Sequence, residues 1–90
     1  MEPAPYLDLL QERLGDELLG VWIFDGGELL VIVASPLDGN VEQELVDAVS
    51  DGSPPQFRTR EQLGRTPEFV DSLRREAVEV WRHPTRPVTL

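Results

Sequence analysis

Apolar residues open the chain with a helical spacing, since Tyr6, Leu7, Leu10 and Leu14 fall on one stripe of a 3.6-residue period. Pro3 and Pro5 suit a first helical turn and Gly15 a C-terminal stop, so the pattern predicts an amphipathic helix over 5–15. The period then shortens. Two apolar runs, 18–24 and 28–35, flank Asp25-Gly26-Gly27, which predicts a tight antiparallel hairpin with positive-φ turn positions. The second run is almost unbroken over 29–34, so its strand needs cover on both faces.

Pro36 ends that strand. Asn40 with Gln43 has the spacing of a capping box, Val41, Leu45, Ala48 and Val49 share one face, and Gly52 is a stop, which predicts a helix over 41–51. Residues 56–60 follow a Pro-Pro connector as a short third strand. Strand, helix and strand then make a β-α-β unit with parallel strands and a right-handed crossover. Thr59 and Gln62 have capping-box spacing for one short turn ending at Gly64. Thr66 and Pro67 read as the cap and first position of a last helix over 67–82, with Val70, Leu73, Ala77, Val80 and Trp81 on its buried face. Its outer face carries Asp71, Arg75 and Glu79 at i, i+4 spacing. Pro84 and Pro87 then mark an extended tail over 84–90. The expected fold is a small α/β (α+β) domain of order α-β-β-α-β-α. It has a three-stranded mixed sheet, about three helices and an ordered core over 5–83 of a single domain.

Composition narrows the chemistry. The 90 residues contain no cysteine and one histidine, His83, which excludes disulfides, thiol chemistry and a histidine-based metal site. No apolar run approaches the roughly 20 residues of a membrane span, so a cytoplasmic protein without membrane contact is expected. The net charge of −9 is uneven: residues 1–52 hold twelve acids against Arg13, whereas residues 53–90 hold five acids against seven arginines. An acidic half of that kind repels duplex nucleic acid and suits a basic partner.

Val21-Trp22-Ile23-Phe24, the hairpin after it, and Phe57-Arg58-Thr59-Arg60-Glu61-Gln62-Leu63 followed by Phe69-Val70-Asp71-Ser72-Leu73-Arg74-Arg75-Glu76-Ala77-Val78 resemble the minimal nucleotidyltransferases of the polymerase beta-type superfamily. The resemblance spans roughly 6–82. It implies a nucleotidyltransferase-like fold and, in active members, two divalent metals held by three carboxylates beside a Gly-Ser loop; hard oxygen ligands and paired cations are what nucleotidyl transfer needs. Carried over, the acidic pair falls at Gly26 and Glu28 and the third carboxylate at about Gln56, while Phe24 runs directly into Asp25-Gly26-Gly27 with no Gly-Ser loop. Glu28, with Asp25 at the hairpin tip, is what remains for a metal. The resemblance thus implies a degenerate domain with no assigned catalytic, cofactor or metal residue.

Other residues invite chemistry on their own. Ser35, Asp38 and His83 are the single Ser/Asp/His set, but Ser35 lacks a nucleophile elbow and His83 suits a helix C-terminus. Trp22 and Trp81 at strand and helix positions read as core, with base stacking as the alternative. Arg74, Arg75, Arg82 and Arg86 are candidates for phosphate or for a protein partner, and Trp22, Arg74, Arg75 and Arg82 form the candidate interaction set. The functional expectation is a non-catalytic protein-interaction or regulatory module, antitoxin-like or self-associating. Two alternatives stand beside it: a minimal metal-dependent nucleotidyltransferase, and an unrelated acidic adaptor or immunity-type protein. A homodimer is expected because a layer of three helices leaves one face of the apolar strand over 29–33 in need of cover.

Overall fold

The computed structural model describes residues 3–24, 27–49, 54–86 and 88. In chain order the elements are α1 (Pro3–Leu14), a 3₁₀ turn (Gly15–Glu17), β1 (Leu18–Phe24), β2 (Glu28–Val33), α2 (Gly39–Asp47), β3 (Gln56–Thr59), α3 (Arg60–Gly64), α4 (Pro67–Glu76) and β4 (Val78–Arg82). The four strands make one mixed sheet of order β3-β2-β1-β4. β1 pairs antiparallel with both β2 and β4, and β2 pairs parallel with β3 across the α2 connection.

The hairpin closes with the Gly27 N–H donating to the Phe24 carbonyl at 3.1 Å, Gly27 standing at φ 128°, where a side chain would be strained. Asp25 and Gly26, read as the turn, lie outside the described residues, as does Gly52. α1 ends where expected, at Gly15 with φ 54°. Thr59 and Gln62 form the anticipated capping box at α3, each side chain bonding the other's backbone N–H. The cap of α2 differs: Asp38, not Asn40, holds it, its Oδ1 accepting the Asn40 N–H at 2.8 Å. An aspartate already in extended conformation before the first turn outcompetes an asparagine inside it. Thr66 stands before α4 without capping it, its hydroxyl donating instead to the Gln62 carbonyl.

The largest correction is at the C-terminal end of the chain. The helix expected over 67–82 stops at Glu76, Ala77 turns extended at ψ 144°, and Val78–Arg82 becomes a fourth strand. Val80 and Trp81 fit a helical stripe and a strand equally well, and β1 settles the matter by offering an unpaired edge. The Arg75–Glu79 helix pair therefore does not form; Glu79 sits 3.1 Å from Arg82. Within the tail, Val88 is buried at 7% exposure.

Both faces of the sheet are covered by this chain. Leu29, Val31 and Val33 of β2 pack with Tyr6, Leu10 and Leu14 of α1 and Leu45 of α2. Leu30 and Ile32 face the other way, into a second core with Leu63 of α3, Leu73 of α4 and Val88. The period of two along β2 thus feeds two separate cores. In β1 an irregularity between Leu18 and Gly20 shifts the phase, so Leu19 faces the second core while Val21, two residues on, faces the first. The cover that a second copy was expected to supply comes from α3, α4 and Val88.

Candidate functional site

Of the residues that the nucleotidyltransferase resemblance singles out, Glu28 and Gln56 begin neighbouring strands at one end of the β2–β3 pair. Glu28 begins β2 and is half-buried. Gln56 begins β3 opposite Leu30, and Arg58 stands opposite Ile32. Alternation puts Glu28, Leu30 and Ile32 on one face of β2, and the parallel register puts Gln56 and Arg58 on the same face of β3. The neutral Gln56 side chain is already engaged, its Oε1 accepting from the Arg58 guanidinium at 3.3 Å, while the other guanidinium nitrogen donates to the Phe57 carbonyl at 2.8 Å. A fixed positive charge therefore lies beside the position where a third carboxylate would be needed. Arg58 has no carboxylate partner among the described residues. Asp25, the other weak metal candidate, lies outside them.

A shallow cleft of about 200 Å³ opens at the opposite, carboxyl ends of the same two strands, between Val33, Leu37, Glu42, Phe57, Thr59 and Gln62. Crevices at this end of parallel strands are common binding places, though ligand pockets run from about 300 Å³. Here the Thr59 hydroxyl and the Gln62 side-chain amide oxygen are both committed to the capping box.

The Ser/Asp/His set is not assembled. The Ser35 hydroxyl donates to a Glu17 carboxylate oxygen at 2.9 Å, Asp38 caps α2, and His83 holds the backbone of the C-terminal segment. Trp22 is 5% exposed and lies in the second core, its six-membered ring over Gly20 so closely that a Cβ there would stand 2.3 Å from Cζ3. Trp81 lies half-buried on β4 against the first core. Arg74 and Arg75 are exposed on α4, with Arg74 3.4 Å from Asp71 and Arg75 donating to the Asp71 carbonyl. Arg82 is exposed on β4 beside Glu79.

Charge is sorted across the sheet. Over the first core, α1, the 3₁₀ turn and α2 with its cap expose Asp8, Glu12, Asp16, Glu17, Asp38, Glu42, Glu44 and Asp47 against Arg13, a net of −7. Over the second core, residues 60–76 expose four arginines and four acids, a net of zero. Two of those arginines are paired locally, Arg65 with Glu61 and Arg74 with Asp71. Linear counting placed an arginine-rich half opposite an acidic one; in the fold the second layer is neutral and the first is strongly acidic. Arg13 bridges its own layer by pairing with Glu44 at 2.9 Å. No described helix is long and apolar enough to cross a membrane. Comparison of the chain with protein-family models, with curated proteins and with solved structures found no match.

Proposed function

We propose that this chain is a non-catalytic protein-interaction module, nucleotidyltransferase-like in ancestry, that docks a basic protein through the layer of α1 and α2. The observation that carries the reading is the sorting of charge: eight exposed acids against one arginine on one helical layer, and balance on the other. A field of one sign over a whole face steers an oppositely charged partner and rejects nucleic-acid phosphate. The degenerate character rests on the Gln56–Arg58 contact, because a guanidinium beside the third ligand position opposes the binding of two divalent cations. A heterologous basic partner, of the kind an antitoxin-like regulator meets, is favoured over a second copy. The second layer offers no net positive charge, and both faces of β2 are already covered.

Two measurements test the proposal. Neutralising the acidic layer with Glu42→Gln, Glu44→Gln and Asp47→Gln should abolish retention of a basic partner from native extract, whereas Arg74→Gln with Arg75→Gln should leave it intact. Equal retention by both variants would overturn the docking face. Incubation with Mg²⁺ or Mn²⁺, labelled nucleoside triphosphates and candidate acceptor proteins should give no transfer; metal-dependent label lost in Glu28→Gln would establish an enzyme instead.

A further inference from the structure

The cleft at the carboxyl ends of β2 and β3 lies on the border of the acidic layer, because Glu42 of α2 forms one of its walls. Val33, Leu37 and Phe57 line it with apolar surface. Leu37 and Phe57 are half-buried, so both keep part of that surface open to the cleft mouth. Alternation along β3 sets Phe57 and Thr59 on this face and Arg58 on the other, where its guanidinium donates to Gln56. Three polar groups at the cleft have bonding capacity left. Thr59 is 6% exposed; its hydroxyl oxygen accepts the Gln62 N–H at 3.1 Å, and the hydroxyl hydrogen has no acceptor among the described residues. Gln62 commits its amide oxygen to the Thr59 N–H, and its NH₂ group has no acceptor among them either. The Glu42 carboxylate has no cationic partner among them. One anion, two neutral donors and an apolar floor thus share a space of about 200 Å³. That is below the roughly 300 Å³ at which cofactor pockets begin, and of a size for one long side chain.

We infer that this cleft seats a single arginine side chain of the basic partner. The guanidinium meets Glu42, the stem and the flat face lie against Leu37 and Phe57, and main-chain carbonyls of the inserted segment accept from the Thr59 hydroxyl and the Gln62 amide. The inference rests on the docking of a basic protein through α1 and α2, and deepens it by naming the anchor. Charge selects a cation, since the layer that Glu42 belongs to exposes eight acids against Arg13. The helix starts beside the cleft are already capped, by Asp38 and by Thr59, so neither invites an anion. Arginine suits the floor better than lysine. A guanidinium is weakly hydrated and stacks on an aromatic ring, whereas an ammonium holds its water. Its planar fork also meets a carboxylate through two parallel hydrogen bonds. Covering the cleft without supplying acceptors would leave two donors desolvated, which is why a backbone segment and not a free cation completes the fit.

The test is an NMR titration of the full, isotope-labelled chain with Nα-acetyl-arginine methylamide at millimolar concentration. Saturable shifts should centre on Leu37, Phe57, Thr59 and Gln62. The citrulline counterpart, neutral and close in shape, should bind about fivefold more weakly, and Glu42→Gln should weaken the arginine compound by about the same factor. Glu42 is exposed in the first turn of α2, so that substitution leaves the fold intact. Undiminished binding in either arm would overturn the seat, as would shifts spread over the acids of α1 and α2 with no focus on the cleft. Equal binding of the acetyl-lysine counterpart would overturn the choice of arginine. No partner enters the titration, so it fails or succeeds apart from the docking face. An empty cleft, with a basic protein still lost in the triple acid variant, would strike the arginine seat and leave the face standing. A saturable seat, with equal retention by both variants of the retention experiment, would uphold arginine recognition and strike the face.

Discussion

The two faces of the sheet are built from the same four strands yet differ in how they are closed. Over one face two helices of twelve and nine residues bring Tyr6, Leu10, Leu14 and Leu45 onto β2, and their outer surface is acidic apart from Arg13. Over the other, a five-residue helix, a ten-residue helix and the C-terminal segment each contribute one buried side chain, Leu63, Leu73 and Val88. The strands supply most of that second core, with Trp22 folded over Gly20 and the Phe24 and Phe69 rings meeting edge-on at 6.0 Å. The first face is thus a helix-on-sheet layer with a charged exterior suited to recognition. The second is a patchwork whose closure depends on small contacts.

The comparison breaks most visibly at Trp22. Trp22→Ala should cost about 3–5 kcal/mol, as much as the second face has to lose, and Gly20→Ala about 1–3 kcal/mol because the indole must move off a new Cβ. Leu10→Ala on the first face should cost about 2–5 kcal/mol. Chemical denaturation followed by tryptophan fluorescence and by circular dichroism measures all three. Coincident transitions in every variant would show the two cores unfolding as one unit; a separate early transition confined to Trp22→Ala would show that the first face stands alone.

A smaller effect isolates the first face. The Tyr6 hydroxyl donates to the Leu45 carbonyl at 2.7 Å, tying α1 to α2, and burial pushes its pKa up to about 12. A folded-state value above the ordinary 10 means the native state holds that proton more tightly than the unfolded chain. Its contribution to stability is therefore complete below about pH 10 and is lost as pH rises towards about 12. With no lysine or cysteine and one tyrosine, no other side chain titrates in that window. Stability measured between pH 9 and 12 should fall in step with tyrosinate absorbance. Tyr6→Phe should remove that dependence at a cost near 1 kcal/mol at neutral pH.

The smallest effect concerns the exterior. Arg13 and Glu44 are each about half exposed, so Arg13→Gln should change stability by no more than about 1 kcal/mol, and less at high salt. The same change removes the one positive charge of the acidic layer, so it should speed association with a basic partner even as it loosens α1 on α2. Stopped-flow association at low and high salt checks the sign.

Much of this was legible along the chain because it depends on neighbours in sequence. The hairpin strands, the parallel return through α2, the Gly15 stop and the Thr59–Gln62 box are local patterns, and the structure places β1 over the residues expected of it. Other features depend on partners far away. Val78–Arg82 reads as helix until β1 presents an edge, and Asn40 reads as a cap until Asp38 takes the place two residues earlier. The charge split was visible as a difference between halves, but adding charges along the chain hid the balance of four arginines and four acids over residues 60–76. Glu28 and Gln56 were named from a resemblance; that Arg58 bonds Gln56 required the register of β3. Nothing in the linear pattern singled out His83 as more than a residue after a helix. Its role comes from the fold bringing Leu19 of β1, Asp16 of the 3₁₀ turn and the Thr85–Arg86 backbone around one ring. Sequence alone determined which segments are amphipathic and where they turn, because periodicity and capping act over a few residues. Tertiary structure alone decided which edge β4 fills, which layer stays charged and what the histidine holds, because those follow from burial and pairing between segments distant in the chain.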